Sequence, residues 1–169
     1  MRTAAGEGGG VSATADLRST TSLGVAAATG VPDGEGDTAD ATLALAQRLV
    51  HLPVPVSIDA EHGFSDDAQQ VAEYAQRLEA LGVAGINLED RNGDARHHAA
   101  VVAAVKAAAP ALFLNARTDT CWLGDGTGTL ERCRVYADAG ADGVFVPGIR
   151  AGEQPPPAPS YEEVDGYQR

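Results

Sequence analysis

Charged side chains stand directly after three apolar runs of the sequence. Asp59 and Glu61 follow the first run, Glu89 follows the second and Arg117 ends the third. Glu89 comes 30 residues after Asp59, and Arg117 comes 28 residues after Glu89. This spacing is close to the length of one strand plus one crossover helix. Successive parallel strands would therefore present all four side chains at one common end.

These residue types suit a small metal site beside an anion site. Asp59, Glu61 and Glu89 offer the hard oxygen ligands that Mg²⁺ takes while it keeps water or substrate oxygens in its other positions. Such a metal can chelate a 2-oxo acid and stabilise the enolate formed when a neighbouring bond breaks. Arg117 could clamp a carboxylate or a phosphonate through two hydrogen bonds.

Acidic residues near strand ends can also serve only as helix caps or loop charges. We favour that interpretation for Asp66, Asp67 and Asp90. For Asp59 and Glu89 the matching positions at successive strand ends favour a functional site, because clustered carboxylates are a marker of such sites.

The elements that position these residues follow from apolar periodicity. Apolar residues at helical steps predict helices that end at Gly82, Pro110 and Gly140, the first of them capped by Ser65 or Asp66. Further upstream we expect a weaker strand near residues 17–22, a loop over 30–36 and a helix near 40–50. Another strand is expected at residues 143–146.

Strands that are apolar throughout and alternate with helices predict an α/β fold with a parallel sheet. The sheet could be open and doubly wound or closed as a TIM-type β/α barrel, and both place sites at the carboxyl ends of strands. An open sheet concentrates its ligand at a glycine-rich phosphate loop, and no Gly-x-Gly-x-x-Gly follows any run here. The barrel is therefore favoured.

Composition excludes several classes of function. A net charge of −12 gives no basic face for nucleic acid. The sequence has no run of 18 apolar residues and no apolar core of a signal peptide near its start, so we expect no membrane span and a cytoplasmic protein. Cys121 and Cys133 fit neither a disulfide framework nor a Cys-x-x-Cys metal site.

The 169 residues are 44% apolar, which predicts one domain with a sizeable core. We expect a flexible N-terminal arm over residues 1–16, the barrel domain over 17–149 and a Pro-rich mobile tail over 150–169.

Four motifs carry a resemblance to a known family. They are Ser57-Ile58-Asp59-Ala60-Glu61-His62-Gly63-Phe64, Gly85-Ile86-Asn87-Leu88-Glu89-Asp90, Asn115-Ala116-Arg117-Thr118-Asp119 and the stretch 139–148. In this order and spacing, the chain resembles the isocitrate lyase and phosphoenolpyruvate mutase superfamily over roughly residues 17–149. The resemblance implies a β/α barrel, Mg²⁺, and the making or breaking of C–C or P–C bonds of small 2-oxo acid or phosphonate-like substrates through an enolate.

Carried over by position, the resemblance assigns roles to individual residues. Asp59 matches the principal metal carboxylate, and Glu61 and Glu89 match acids that hold the metal directly or through water. Arg117 matches the substrate-anion arginine. The remaining matches are a short loop that cradles a substrate carboxylate (Thr21, Ser22 and Gly24) and a flexible segment with a metal-associated aspartate (Asp33). His62 is either an acid or base beside the metal or a solvent-facing loop histidine.

The chain departs from the family in two ways. The lyases carry a Lys-Lys-Cys-Gly-His lid after the Glu89 position, and residues 89–98 contain neither cysteine nor lysine. We therefore expect no true isocitrate or methylisocitrate lyase activity. A β/α barrel also needs about 250 residues, so we expect a partial barrel lacking about three of its eight units. That shortfall leaves a second possibility, a truncated and catalytically silent homologue that binds only metal or a partner subunit. The missing strands would also leave unpaired sheet edges, which predicts a homo-oligomer.

Overall fold

A computed structural model describes residues 17–149, and a five-stranded parallel sheet in strict chain order runs through them. The arm expected at 1–16 and the tail expected at 150–169 lie outside the described residues. The strands are β1 (Arg18–Ser19), β2 (Val56–Asp59), β3 (Gly85–Glu89), β4 (Phe113–Arg117) and β5 (Gly143–Phe145). Each strand therefore pairs with the next one along the chain, as in a barrel wall.

Six helices connect the strands. They are α1 (Ser22–Thr29), α2 (Ala39–Leu49), α3 (Ala68–Leu81), α4 (Ala95–Ala108), α5 (Thr120–Leu123) and α6 (Thr129–Asp138). Helices α2, α3, α4 and α6 contact one another in that order, which places them as one layer on one side of the sheet. A doubly wound sheet carries helices on both faces, so the prediction of a partial β/α barrel is confirmed.

The two faces of the sheet differ in burial. Alternate strand residues point into the helix layer and form the core together with apolar side chains from the helices. On the strands these buried residues are Val56, Ile58, Ile86, Leu88, Leu114 and Ala116. The opposite face carries polar and small residues, and on it the Asn115 side-chain amide Nδ2 donates to Asn87 Oδ1 at 2.8 Å. Phe113 and Phe145 on that face remain about half exposed, at 51% and 45%.

The helix caps correct one detail of the sequence prediction. Asp67, and neither Ser65 nor Asp66, caps α3, and its carboxylate accepts a hydrogen bond from the Gln69 backbone N–H at 2.8 Å. The Ser65 hydroxyl instead accepts from the Asp67 N–H, which fixes the turn before the helix. Gly82 ends α3 in the left-handed conformation, as predicted.

The expected strand near residues 17–22 is shorter than predicted, because β1 ends at Ser19 and a helix begins at Ser22. The helix α1 has no acidic residue in its first turn and no clear amphipathic stripe, so periodicity could not reveal it. Its start rests on Thr21, whose hydroxyl accepts from the Gly24 N–H at 3.0 Å. No helix within residues 17–149 is long and apolar enough to cross a membrane.

Candidate active site

The carboxyl ends of β2, β3 and β4 lie side by side and deliver the charged residues predicted from the sequence. In the strand register Asp59 pairs with Asn87, and Glu89 pairs with Arg117. The Glu89 N–H also donates to the Glu61 carbonyl at 2.8 Å, just beyond the end of β2. Parallel pairing alone therefore brings these residues to one edge of the sheet.

Arg117 lies between two carboxylates. Its Nη1 is 3.1 Å from Glu89 Oε2, and its Nε donates to Asp119 Oδ1 at 2.6 Å. The three side chains are mostly shielded from water, with 20%, 12% and 2% of Arg117, Glu89 and Asp119 exposed. Screening is weak in such a setting, so the pairing is stronger than a surface ion pair.

Residues at the junction of β1 and α1 hold Asp59 in place by hydrogen bonds. The Ser22 N–H donates to Asp59 Oδ2 at 3.1 Å, and the Thr20 hydroxyl accepts from the Asp59 backbone N–H at 2.9 Å. The Glu61 N–H donates weakly to Asp59 Oδ1 at 3.3 Å. The first turn of α1 thus lies against the candidate metal carboxylate.

The predicted substrate loop is the beginning of α1. Ser22 reaches Asp59, whereas Thr21 and Gly24 bond to each other as the helix cap. Thr21 and Gly24 also line a separate cavity of about 570 Å³ between α1 and α2, which Arg48 borders. The structure therefore brings only Ser22 of this group to the carboxylate cluster.

Glu61 is buried and anchors the segment that precedes α2. Its Oε2 accepts from the Gly36 N–H at 3.1 Å, and its Oε1 accepts from the Thr38 hydroxyl. Only 1% of Glu61 is exposed, and its backbone has a φ of 49°. Both carboxylate oxygens are therefore engaged by the protein, while Asp33 of the same segment is exposed.

His62 is half-buried beside the acidic cluster. It packs against Gly36, where an added Cβ would lie 3.2 Å from the imidazole Cε1. Burial, assisted by the charge of Arg91, lowers the pKa of His62, although Asp66 opposes the shift. Its Nδ1 is buried with no partner among residues 17–149. His62 also borders a cleft of about 370 Å³ that Glu89 and Arg91 line.

The electrostatics of the cluster point to an excess of negative charge. Burial raises the pKa of Glu89 to about 7, and Arg117 opposes that shift. The charges of Asp119, Asp59 and Glu61 push the pKa of Glu89 further upward, in that order. A cation near Glu89 would relieve this repulsion.

The donors fit a Mg²⁺ ion held mainly through water. Within residues 17–149, no three His, Cys, Asp or Glu side chains lie close enough to grip a metal together. Mg²⁺ is commonly bound by one or two carboxylates and keeps several waters. Among the described residues, Asp59 Oδ1 accepts only the long hydrogen bond from the Glu61 N–H, so it could contact Mg²⁺ directly. Glu61 and Glu89 would then bind the ion through water molecules.

A buried polar network behind the site was missed by sequence reasoning. Asp90 was interpreted as a loop charge, but 7% of it is exposed and its carboxylate accepts four hydrogen bonds. The donors are the backbone N–H groups of Asn92 and Asp119 and the side chains of Arg132 and Tyr136. These hydrogen bonds lower the pKa of Asp90 against the opposing effect of burial. The sequence signal was only a second acid after Glu89, and the partners on α6 lie more than 40 residues away.

The two cysteines are both partly buried and unpaired. Burial raises the pKa of Cys133 to about 11. Cys121 lies near the Thr129 hydroxyl, with 3.5 Å between Sγ and Oγ1.

Comparison with known proteins identifies the family. The sequence model described as phosphoenolpyruvate phosphomutase matches residues 8–155. An uncharacterized protein of Mycobacterium tuberculosis is 45% identical over 135 residues, which cover 76% of this chain and 51% of that protein. The oxaloacetate decarboxylase of Rhodopseudomonas palustris is 31% identical, with 72% of this chain and 48% of that protein covered. The 2-methylisocitrate lyase of Salmonella typhimurium is 33% identical, with 72% and 47% covered.

Solved structures agree with these relatives. The phosphoenolpyruvate phosphomutase from Streptomyces platensis subsp. rosaceus superposes with a TM-score of 0.72 at 26% identity, covering 78% of this chain and 52% of that one. An oxaloacetate acetylhydrolase in complex with its product oxalate also gives 0.72, at 25% identity, covering 80% and 52%. The chain spans about half the length of the curated relatives it matches. Because the family model matches most of the chain and the barrel topology agrees, the chain belongs to the phosphoenolpyruvate phosphomutase family.

Proposed function

We propose that this protein is a Mg²⁺-dependent enzyme that makes or breaks a C–C or P–C bond of a small 2-oxo acid through an enolate. The observation that carries the proposal is the meeting of Asp59, Glu89 and Arg117 at adjacent strand ends. Relatives named oxaloacetate decarboxylase and 2-methylisocitrate lyase support the reaction class. The absence of the lid cysteine favours a reaction other than isocitrate or methylisocitrate cleavage.

In this proposal each residue has a distinct task. Asp59 would hold Mg²⁺ directly, with Glu61 and Glu89 acting through water. When bound, Mg²⁺ supplies the positive charge that stabilises negative charge developing on the substrate oxygen. Arg117 would bind the carboxylate or phosphonate of the substrate. Ser22 keeps Asp59 oriented through its backbone N–H.

Proton transfer in this proposal falls to His62. Its lowered pKa keeps the imidazole neutral at neutral pH, so it can accept a proton beside the cluster. The partially buried setting limits access of bulk water to that proton.

The first test is metal binding followed by turnover. Thermal melting of the whole chain should shift upward as millimolar Mg²⁺ is added, because Mg²⁺ binds the native state. Asp59→Asn should abolish the shift, whereas Asp66→Asn, which removes an exposed carboxylate, should keep it. Oxaloacetate and phosphonopyruvate are then offered with Mg²⁺, and products are followed by NMR. Identical melting curves with and without Mg²⁺ would contradict the proposal.

A second candidate is a catalytically silent relative that binds only metal or a partner subunit. Both oxygens of Glu61 are already engaged by Gly36 and Thr38, and the chain covers half the length of its relatives. A Mg²⁺-induced shift without turnover of either compound would favour this candidate.

A further inference from the structure

The guanidinium of Arg117 is held at two of its three nitrogens. Asp119 accepts from Nε and Glu89 pairs with Nη1. Within the described residues, Nη2 has no hydrogen bond or ion pair. A guanidinium fixed in this way keeps one terminal nitrogen for an external anion.

Asp119 occupies a helix-cap position without acting as a cap. It stands at the N-cap of α5, where an aspartate usually accepts from the N–H groups of the first turn. In the described structure its side chain makes no such capping bond, and the carboxylate turns to Arg117 instead. Asp119 is buried, with only 1% of the whole residue exposed. The orientation therefore favours Arg117 over the local helix.

Asp90 in turn holds the backbone of Asp119 in place. Its backbone N–H donates to Asp90 Oδ1 at 2.9 Å. The other oxygen of Asp90 accepts from Arg132 Nη1 at 2.9 Å and from the Tyr136 hydroxyl at 2.6 Å. Both of these side chains belong to α6. Asp90 thereby ties the loop that carries Asp119 to a helix of the outer layer.

We propose that Asp119, braced by Asp90, is a positioning residue that orients Arg117 so that Nη2 can bind the anionic group of the substrate. The inference rests on the proposed function, because it concerns the same site. A planar guanidinium directs the N–H groups of its free nitrogen at a fixed point only when the plane itself is fixed. With Glu89 as its sole partner, the guanidinium plane could turn about the Cδ–Nε bond and lose that geometry.

The test uses oxalate as the probe in the presence of Mg²⁺, measured by calorimetry on the full chain. A hydrogen bond to a charged group contributes about 1.5–3 kcal/mol, so Asp119→Asn should weaken oxalate binding by about 10- to 100-fold. A Mg²⁺-induced melting shift should persist, because Asp119 is not assigned to the metal. Asp66→Asn is the matched control, since Asp66 also pairs with an arginine but is exposed.

A double-mutant cycle separates positioning from a general structural effect. Arg117→Gln alone should weaken oxalate binding strongly but leave it measurable. Adding Asp119→Asn to Arg117→Gln should then change the affinity no further, because Asp119 acts through Arg117. An additional loss of the same size as in the wild-type background would overturn the proposal.

A ligand-free measurement keeps the proposal falsifiable if a variant folds poorly or oxalate does not bind. In the wild-type chain the Arg117 Nε–H proton should give a slowly exchanging, downfield NMR signal, assigned by its loss in Arg117→Gln. A rapidly exchanging signal at the ordinary position would overturn the proposal. Absence of oxalate binding together with the shifted Nε–H signal would contradict the proposed function and leave the orientation of Arg117 by Asp119 supported.

Discussion

At the residue scale, Glu89 and Asp119 both pair with Arg117, so a single positive charge faces two carboxylates. This imbalance favours the binding of a cation. Asp59 and Glu61 add negative charge nearby, so Arg117 alone leaves the cluster short of positive charge. Burial raises the pKa of Asp119 as well, against the pull of Arg117. A divalent ion that kept its water shell would restore the balance without displacing the arginine.

The pH dependence of Mg²⁺ binding should follow Glu89. Its pKa of about 7 means that the carboxyl carries a proton in much of the population at slightly acidic pH. Cation binding favours the deprotonated form, so Mg²⁺ affinity should rise with pH, by up to about tenfold per pH unit below about pH 7, and then level off. Calorimetric Mg²⁺ titrations between about pH 6 and about pH 8 measure this.

Glu89→Gln should remove the rise in that pH range, because glutamine does not titrate. Glu73→Gln changes an exposed glutamate on α3 and should leave the profile as in the wild type. An unchanged pH profile in Glu89→Gln would mean that another group sets it.

At the residue scale, the sequence was sufficient where a strand end and a charged residue coincide. Asp59, Glu89 and Arg117 were placed together because parallel strands end at one edge. The partners of Asp90 could not be predicted, because they depend on how α6 packs against the ends of β3 and β4. Pair contacts between distant elements carry no local sequence signal.

At the scale of elements, two glycines with the same positive φ differ in how closely other residues pack against them. Gly63 and Gly82 both have φ of +94°. An added Cβ at Gly63 would lie 2.4 Å from Val71 Cγ1, whereas nothing lies within 4 Å of the one at Gly82. The turn after Glu61 thus packs directly on α3.

Gly63→Ala should therefore destabilise the protein more than Gly82→Ala. Backbone strain at positive φ costs about 1–2 kcal/mol at either position. The clash at Gly63 adds about 1–3 kcal/mol from overpacking. Urea unfolding of both variants compares the free energies of unfolding, and equal losses would show that α3 moves away at little cost.

The helices that were predicted correctly have strong local signals. Apolar periodicity and the terminal Gly82 defined α3, and a similar stripe defined α4. Helix α1 was missed because its composition is almost uniformly small and apolar, and α5 because it has only four residues. The role of Thr21 and Gly24 in a substrate loop stays a prediction, because the structure shows only that they form the start of α1.

At the scale of the whole molecule, no helix of the described residues covers the sheet face opposite the helix layer. A cavity of about 590 Å³ there is lined by small and polar strand residues together with Phe113 and Phe145. In the described part of the chain, β1 and β5 each have one strand neighbour, so each leaves an edge of backbone groups unpaired. Apolar surface and open edges together favour association.

We expect the chain to self-associate through this face. Sedimentation velocity should show larger species as the protein concentration rises. Replacing both aromatic residues, Phe113→Ser with Phe145→Ser, should shift the distribution toward the monomer by removing exposed apolar surface. Leu23→Ser, at a 65% exposed position on α1, is the control. A monomer at all concentrations would contradict this expectation.

The strict chain order of the strands has a consequence for how the protein reaches its structure. Every strand pair joins neighbours along the chain, so each loop that must close is about one repeat long and its entropic cost is similar. Such an array can begin to assemble at any repeat and grow outward, as solenoid proteins do. The middle repeats, which have partners on both sides, would form the folding nucleus. The outer repeats would fold later and unfold earlier than the middle ones.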